Sequence, residues 1–178
     1  MLTTVVKTTL LLSLCALLAA CGWAERLGNA TRSTAQQAFF RPLTTLHLEL
    51  SARPASNTDA AHMGALATPT LVRVYQLADA RRFEQASYEQ LLDHSEPVLG
   101  ADRLEERALV VKPGEGRQLD VPLAEQARFI GVVALFRQAE GPPAQWRLLL
   151  PREQLQRQLP RRLVLSDNHL ALLPLEEG

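Results

Sequence analysis

Short runs in which apolar and polar residues alternate recur through most of the chain, and they limit the folds that it can adopt. In the first run, Leu46, Leu48 and Leu50 alternate with polar residues. A period of two places every second side chain on the same face, so this run predicts a β-strand with one buried face. The run "TLVRVYQL" predicts a second strand, in which Tyr75 and Leu77 belong to a second apolar face.

Further strands are predicted along the rest of the chain. They are expected over residues 106–111, 117–123, 127–137 and 146–150 and on either side of the turn 166–168. About eight short strands separated by turn residues predict a mainly β fold, an antiparallel β-sandwich. The most apolar run, 127–137, should be a central strand, with Gly131 allowing a neighbour to approach closely. One proline and two glycines in Lys112–Gly116 predict a tight reversal between two strands.

A helical insertion is predicted near residues 79–95, where the alternation stops. Asp79 can cap a helix start, and Ser87 to Gln90 has the spacing of a capping box ahead of two leucines. One bent helix or two short helices would satisfy this pattern. Asp93 and His94 follow, but adjacent helical side chains do not face each other, so they are not predicted to form a catalytic pair.

The N-terminus has the features of a secretory signal, assigned to residues 1–20. Lys7 precedes the apolar segment Thr8–Ala20, which is shorter than the roughly 20 residues that span a bilayer. The segment ends in Leu-Ala-Ala-Cys, which resembles the lipobox of bacterial lipoproteins and implies that Cys21 carries the acyl chains. The alternative is an ordinary signal peptide followed by a cysteine that is there by chance. Residues 21–42 are predicted to be a tether and residues 43–178 the β-sandwich domain.

The cysteine count and the charge exclude several classes of protein. With Cys15 in the signal segment and Cys21 lipidated, no cysteine is left for a disulfide or a thiolate metal site. The 19 basic residues balance 19 acidic ones. A nucleic-acid-binding protein normally has a basic surplus on one face, so nucleic acid is not a predicted partner.

The segment Ser51–Pro69 is the first candidate for a functional site. It lies between the first two predicted strands, has no clear period and is longer than most connections in compact domains. Its predicted partner-binding residues are Asn57, Asp59, His62, Met63 and Leu66. Methionine suits an adaptable contact surface. The alternative is a flexible or partly helical insertion without a binding role.

Motifs for catalysis or cofactor binding are absent from the sequence. It contains no nucleophile elbow, zinc-protease motif, phosphate-binding glycine loop or C-x-x-C pair, and its four histidines are scattered without ligand spacing. We therefore predict no enzyme activity, no metal and no cofactor beyond the lipid on Cys21. A module that binds a small molecule or a sugar stays open as an alternative, with Tyr75 and Trp146 as its candidate residues.

Several stretches together carry a family resemblance. They are "VRVYQL" at 72–77, "FEQASYEQLL" at 83–92, "VLGADRLEERALVVKPGEGRQLDVPL" at 98–123, and "ARFIGVVALFR" at 127–137 followed by "QWR" at 145–147. In this order and spacing, and with the lipobox in front, the chain resembles the TssJ lipoproteins of type VI secretion. The resemblance runs from about residue 46 to residue 173.

The resemblance implies a transthyretin-like β-sandwich with a small helical addition, anchored by lipid in the outer membrane. Proteins of this family hold the periplasmic domain of the inner-membrane protein TssM, which joins TssL. In the family the contact with TssM involves the loop between the first two strands, which corresponds to Ser51–Pro69. Gly22 follows the cysteine, instead of the aspartate that retains lipoproteins in the inner membrane, so an outer-membrane location is expected.

Overall fold

In the computed structural model, which describes residues 43–58, 66–139 and 145–175, eight strands form two four-stranded sheets. All the described residues belong to the unit that begins at Leu43. The strands are β1 (Thr45–Ser56), β2 (Thr70–Leu77), β3 (Arg103–Val111), β4 (Gly116–Pro122), β5 (Phe129–Leu135), β6 (Arg147–Pro151), β7 (Arg161–Asp167) and β8 (His169–Leu172). Three short helices, α1 (Arg81–Gln85), α2 (Tyr88–Asp93) and α3 (Ser95–Leu99), lie between β2 and β3.

The two sheets confirm the predicted β-sandwich, with one difference in strand direction. Sheet 1 has the order β4-β1-β7-β8 and sheet 2 the order β3-β2-β5-β6. Every described pairing is antiparallel except that of β1 with β7, which run parallel with Leu48 opposite Arg161. A parallel pair requires a long connection, and these two strands are separated by most of the domain sequence.

The alternation of the first strand corresponds to burial as predicted. Leu46, Leu48 and Leu50 are fully buried, and they share the core with residues such as Val72 and Leu163. Burying a leucine side chain stabilises a fold by about 1.5–3 kcal/mol. The inner faces of the two sheets therefore form the main core of the domain.

The apolar run in β5 has no alternation because both of its faces are covered. Residues Ile130 to Leu135 are all buried in this central strand. One face contacts sheet 1, and the other lies under the helical insertion, where Phe83 of α1 packs against Gly131. A strand that is covered on both faces has a continuous apolar sequence. The same insertion covers Tyr75 of β2, whose ring centroid lies 6.1 Å from that of Phe83.

The predicted capping box is present at the start of α2. Ser87 Oγ accepts a hydrogen bond from the backbone N–H of Gln90 (3.2 Å), and Gln90 Oε1 accepts one from the backbone N–H of Ser87 (2.9 Å). Asp79 Oδ1 accepts a bond from the backbone N–H of Arg81 at 2.9 Å, next to the start of α1. The helical segment extends to Leu99, beyond the predicted end near residue 95, and a 3₁₀ turn over Gly100–Asp102 leads into β3.

Arginine side chains hold the C-terminal ends of the three helices. Arg147 of β6 donates to the backbone carbonyls of Phe83, Glu84 and Ala86 at the end of α1. Arg73 of β2 donates to the last carbonyls of α2, and Arg82 donates to Leu99 at the end of α3. The last carbonyls of a helix have no partner within it, and a cation is favourable at this end. The insertion is therefore attached to sheet 2 by hydrogen bonds as well as by Phe83.

The turn at Lys112–Gly116 forms, but it does not connect a hairpin. The backbone N–H of Glu115 donates to the carbonyl of Lys112 at 2.9 Å, and Gly114 has a φ of 77°. The predicted tight reversal is therefore present, but it connects strands of different sheets, because β3 belongs to sheet 2 and β4 to sheet 1. Two backbone hydrogen bonds of 2.9 Å join Ala52 to the turn residues Gly114 and Glu115, so the turn docks on β1 as the chain crosses between the sheets.

Candidate partner-binding surface

The loop between β1 and β2 is shorter than the sequence predicted. β1 continues to Ser56, so the loop spans 57–69 and does not begin at Ser51. Ser51 and Ala52 are still paired with β7, and the register shifts between Ala52 and Ser56. This irregularity interrupts the alternation, which is why the sequence pattern did not reveal the end of the strand. The structure describes the two ends of the loop, 57–58 and 66–69.

Asn57, predicted to contact a partner, is instead buried at the base of the loop with 1% of its surface exposed. Its Nδ2 donates to the carbonyl of Pro69 (3.1 Å), and its Oδ1 accepts from the backbone N–H of Arg137 (2.8 Å). Its own carbonyl accepts from Thr68 Oγ1 at 3.1 Å, and its N–H donates to the carbonyl of Asp167. Asn57 also has a φ of 54°, a conformation that asparagine tolerates better than most residues. Its side chain thus fixes the loop rather than presenting a contact.

Three connections meet at this end of the sandwich. The partners of Asn57 place the β1–β2 loop beside Arg137, which follows β5, and beside Asp167 in the β7–β8 turn. A further bond of 3.1 Å joins Asn168 Nδ2 to the carbonyl of Thr58. We call this end, formed by the described residues 56–58, 66–70, 136–139 and 167–168, the loop end of the domain.

The loop end also contains buried polar atoms without a hydrogen-bond partner. Among the described residues, such atoms are Ser56 Oγ, Thr70 Oγ1, Tyr75 OH, Arg161 Nε and Asn168 Oδ1. Three of the five, on Ser56, Thr70 and Asn168, lie around Asn57.

Of the other predicted loop residues, only Leu66 can be located. It is 82% exposed, the highest value among the large apolar side chains that the structure describes. Asp59, His62 and Met63 lie outside the described residues, as do Cys21 and the rest of residues 1–42. An exposed leucine at the loop end is a candidate anchor for a partner, since a few apolar anchors usually dominate an interface.

The residues considered for a small-molecule site belong to the core instead. Tyr75 is fully buried beside Phe83, and Trp146 is buried in an edge-to-face contact with Tyr88, with 5.1 Å between ring centroids. A cavity of about 180 Å³ lies elsewhere, beside the start of β7, between residues 159–162 and 173–175. Ligand pockets are commonly about 300–1,000 Å³. Tyr75 and Trp146 are therefore packed in the core and do not line this cavity.

The described side chains form one close histidine–carboxylate pair but no metal-binding cluster. His47 Nδ1 lies 2.6 Å from Asp120 Oδ1 across β1 and β4, a contact that the sequence did not indicate, and it lies on the solvent side of sheet 1. Within residues 43–58, 66–139 and 145–175, no three His, Cys, Asp or Glu side chains converge as they would around a metal ion. No helix in these same segments has the length and hydropathy needed to cross a membrane.

Comparison with known proteins identifies the family. The family model described as "Type VI secretion lipoprotein, VasD, EvfM, TssJ, VC_A0113" matches residues 44–172, which include all the described strands and helices. The chain belongs to this family. No match to a curated protein sequence was found.

Solved structures similar to this chain come from the same secretion system. A chain of the structure "Type VI membrane complex" is 37% identical with a TM-score of 0.69, and the match covers 75% of this chain and 100% of that one. A chain of the structure "T6SS protein TssM C-terminal domain (869-1107) from EAEC" is 36% identical (TM-score 0.65; 74% and 99% covered). The lipoprotein TssJ1 from Pseudomonas aeruginosa is 30% identical (TM-score 0.60; 76% and 100% covered). The fold of this TssJ-family chain is therefore that of its relatives.

Two parts of the loop end were missed by the sequence analysis. The β7–β8 turn was predicted as a turn, and Arg137 as the end of a strand, but neither was placed near the first loop. Asn57 and Arg137 are 80 residues apart, and Asn168 is 110 residues from Thr58. No local pattern indicates pairs so distant along the chain. The only available signal was the turn sequence Ser166–Asn168, which is typical of many exposed turns.

Proposed function

We propose that this TssJ-family chain is an outer-membrane lipoprotein subunit of the type VI secretion membrane complex. It binds the periplasmic domain of the inner-membrane protein TssM, and through it TssL, and acts as a scaffold without enzyme activity. The observation that carries the proposal is the family match over 44–172. Its similarity to a chain of a type VI membrane complex adds support. The lipid on Cys21 is the only non-protein group that this function needs.

The match to the structure of the TssM C-terminal domain supports a TssM partner. About three quarters of this 178-residue chain covers 99% of the matched chain, so the matched chain is itself shorter than 178 residues. The TssM domain named for that structure spans 869–1107, a longer segment. A structure that is named for TssM and also contains a TssJ-like chain is what a complex of the two proteins would give.

The loop end is the surface proposed for this contact. Leu66 is exposed there, and the base of the loop is held by Asn57 and by the β7–β8 turn. Holding the base of a loop lowers the conformational entropy that is lost when the loop binds a partner. Asp59, His62 and Met63 are the proposed polar and apolar contacts of the tip.

Replacing residues 59–66 with a Gly/Ser linker of the same length tests the proposed surface, because Asn57 and Thr68 stay in place. We expect the affinity for the TssM periplasmic domain, measured by calorimetry, to fall at least tenfold, or about 1.4 kcal/mol. The melting temperature should stay within a few degrees. Two single substitutions form a matched pair. Leu66→Ser should weaken binding. Leu159→Ser should not, because Leu159 is also exposed (52%) but lies away from the loop end. Normal binding by the linker variant would place the interface elsewhere.

Cys21→Ser tests the proposed lipid anchor. The cysteine follows Leu-Ala-Ala, so the variant should lose acylation and accumulate as precursor or as soluble protein outside the outer-membrane fraction. Metabolic labelling with a fatty acid, combined with membrane fractionation, measures both effects. Cys15→Ser is the control, because it changes the other cysteine and should leave labelling intact. Normal lipid labelling of the Cys21 variant in the outer membrane would exclude the anchor.

A further inference from the structure

We infer that Asn57 is a positioning residue that joins three connections of the domain into one composite partner-binding surface. On this view residues 136–139 after β5 and residues 167–168 of the β7–β8 turn contribute to partner binding together with the described ends of the β1–β2 loop, 57–58 and 66–69. The claim that this surface binds a partner rests on the proposed function. The claim that the three connections are coupled concerns the domain alone and can be tested without a partner.

Each polar group of Asn57 bonds to a segment outside β1. The side-chain amide donates to Pro69 at the far end of its own loop, and the side-chain carbonyl accepts from Arg137 after β5. The backbone carbonyl bonds to Thr68, and the backbone N–H bonds to Asp167 in the β7–β8 turn. One buried residue thus contacts all three connections. Loss of its side chain removes the bond that closes the β1–β2 loop and the bond that joins it to the β5–β6 connection.

A second side chain also links these connections. Around Asn57, the buried polar atoms Ser56 Oγ, Thr70 Oγ1 and Asn168 Oδ1 have no partner among the described residues. Asn168 Nδ2 donates to the carbonyl of Thr58, which joins the β7–β8 turn to the β1–β2 loop. Asn57 and Asn168 therefore each bond directly from one connection to another.

Gln76 provides a matched control for the role of the amide. It is 3% exposed, its Nε2 donates to the carbonyl of Pro122 (2.8 Å), and its Oε1 accepts from the backbone N–H of Ala124 (2.7 Å). Gln76 therefore makes the same two kinds of bond as Asn57. It lies near the end of β2, whereas the loop end is at the start of that strand, about 20 Å away at 3.3 Å per residue.

The test compares Asn57→Gly with Gln76→Ala. Glycine accepts the positive φ of position 57, so Asn57→Gly removes the two side-chain bonds without imposing backbone strain. In the free domain we expect faster amide hydrogen exchange at 66–70, 137–139 and 167–168 together. We also expect at least tenfold weaker binding of the TssM periplasmic domain. Gln76→Ala should lower the melting temperature to a similar extent while binding stays within twofold of wild type.

Asn57→Asp provides a second variant that keeps the acceptor for Arg137 and loses the donor to Pro69. Slower exchange at 137–139 in Asn57→Asp than in Asn57→Gly would support the coupling even if the glycine variant folds poorly. Faster exchange confined to 66–70 would overturn the inference, as would equal loss of binding in Gln76→Ala. If wild type does not bind TssM at all, the proposed function fails, and the exchange measurements still decide whether the three connections are coupled.

Discussion

Arg147 joins β6 to the end of α1 through three hydrogen bonds to backbone carbonyls. Its guanidinium also lies 5.0 Å from the ring centroid of Trp146 and 5.9 Å from that of Phe83. Burial lowers the pKa of Arg147 from its ordinary value, but a guanidinium in a protein stays protonated. A single side chain therefore satisfies carbonyls that the short helix cannot satisfy itself.

Substitution of Arg147 should destabilise the domain. Arg147→Met keeps an apolar stem over the aromatic rings but leaves three carbonyls without their donor, and we expect a loss of about 2–3 kcal/mol in urea unfolding. Arg147→Lys should lie between Met and wild type, because one ammonium cannot reproduce the planar fork of donors. Arg107→Met changes a half-exposed arginine paired with Glu105 and should cost less than about 1 kcal/mol. Equal effects at positions 107 and 147 would contradict this account.

The two tyrosines make the stability of the domain sensitive to alkaline pH. Burial raises the pKa of Tyr75 and of Tyr88 above the ordinary value of about 10, and the hydroxyl of Tyr88 donates to the carbonyl of Phe136. Below this ordinary value both hydroxyls are protonated in both states, so their stabilising contribution is complete. As the pH rises above it, the unfolded chain loses these protons before the folded one does, and the free energy of unfolding falls.

Urea unfolding at a series of pH values from 9 upward should show this decline. Tyr75 and Tyr88 are the only tyrosines in the sequence, so absorbance of tyrosinate measures their titration directly. Native protein should titrate at higher pH than protein in urea. Tyr88→Phe should make stability fall less steeply with pH, even though it also loses the bond to Phe136. Identical titration curves for native and unfolded protein would show that neither hydroxyl is protected.

At the scale of elements, the helical insertion depends on the absence of a side chain at position 131. A Cβ on Gly131 would lie 2.7 Å from Cε2 of Phe83, closer than two carbon atoms can approach without displacement. The predicted close approach at Gly131 is therefore present, and the group that approaches is the ring of Phe83 in α1. This contact lets the insertion sit directly on the outer face of β5.

Gly131→Ala should cost about 1–3 kcal/mol, as expected for overpacking of a dense core. The double variant with Phe83→Leu should recover part of this loss relative to the sum of the single variants, since the two sites are in contact. Gly116→Ala is the control, because the nearest atom to a Cβ there is the carbonyl oxygen of Leu50 at 3.8 Å. The measurement is chemical unfolding of the wild type, the two single variants, the double variant and the Gly116→Ala control. Additive effects of the two substitutions would show that the clash is relieved in another way.

Local patterns predicted most elements because their physical cause is local. The leucines of β1 and the capping box at Ser87 each depend on neighbours a few residues away. The turn at Lys112–Gly116 was found by the same reasoning, but turn residues do not determine which sheet the next strand joins. The parallel pairing of β1 with β7 likewise depends on segments more than 100 residues apart.

The candidate site was less predictable than the fold. A polar residue in a polar loop is normally exposed, which is why Asn57 was predicted as a contact, whereas its burial depends on the distant Arg137 and Asp167. Leu66 could be chosen because a large apolar residue in such a segment is unusual, and it is exposed in the structure. The residues that hold the loop could therefore not be predicted, because their hydrogen-bond partners lie far away in the sequence.

At the scale of the whole molecule, the described elements form one unit that begins at Leu43. Protein consisting of residues 43–178 should therefore fold alone, with a single cooperative transition and a melting temperature within a few degrees of that of residues 22–178. A chelator should leave the transition unchanged, because the described residues contain no metal-ligand cluster. Calorimetry of both proteins, with and without chelator, tests this expectation. A large difference in either comparison would reveal a stabilising contact or metal outside the described segments.

β1 is the one strand that runs from the start of this unit to the loop end. It extends from Thr45 to Ser56, a distance of about 40 Å at 3.3 Å per residue, with a register shift against β7 between Ala52 and Ser56. It is paired with β4 over Thr45–Ser51 and with β7 over Leu48–Ser56. A lipid anchor upstream of Leu43 and a partner held by the loop would therefore pull on opposite ends of the same strand. Because β1 is already nearly fully extended, its covalent backbone would carry such a pull, and the hydrogen bonds to β4 and β7 would bear little of it.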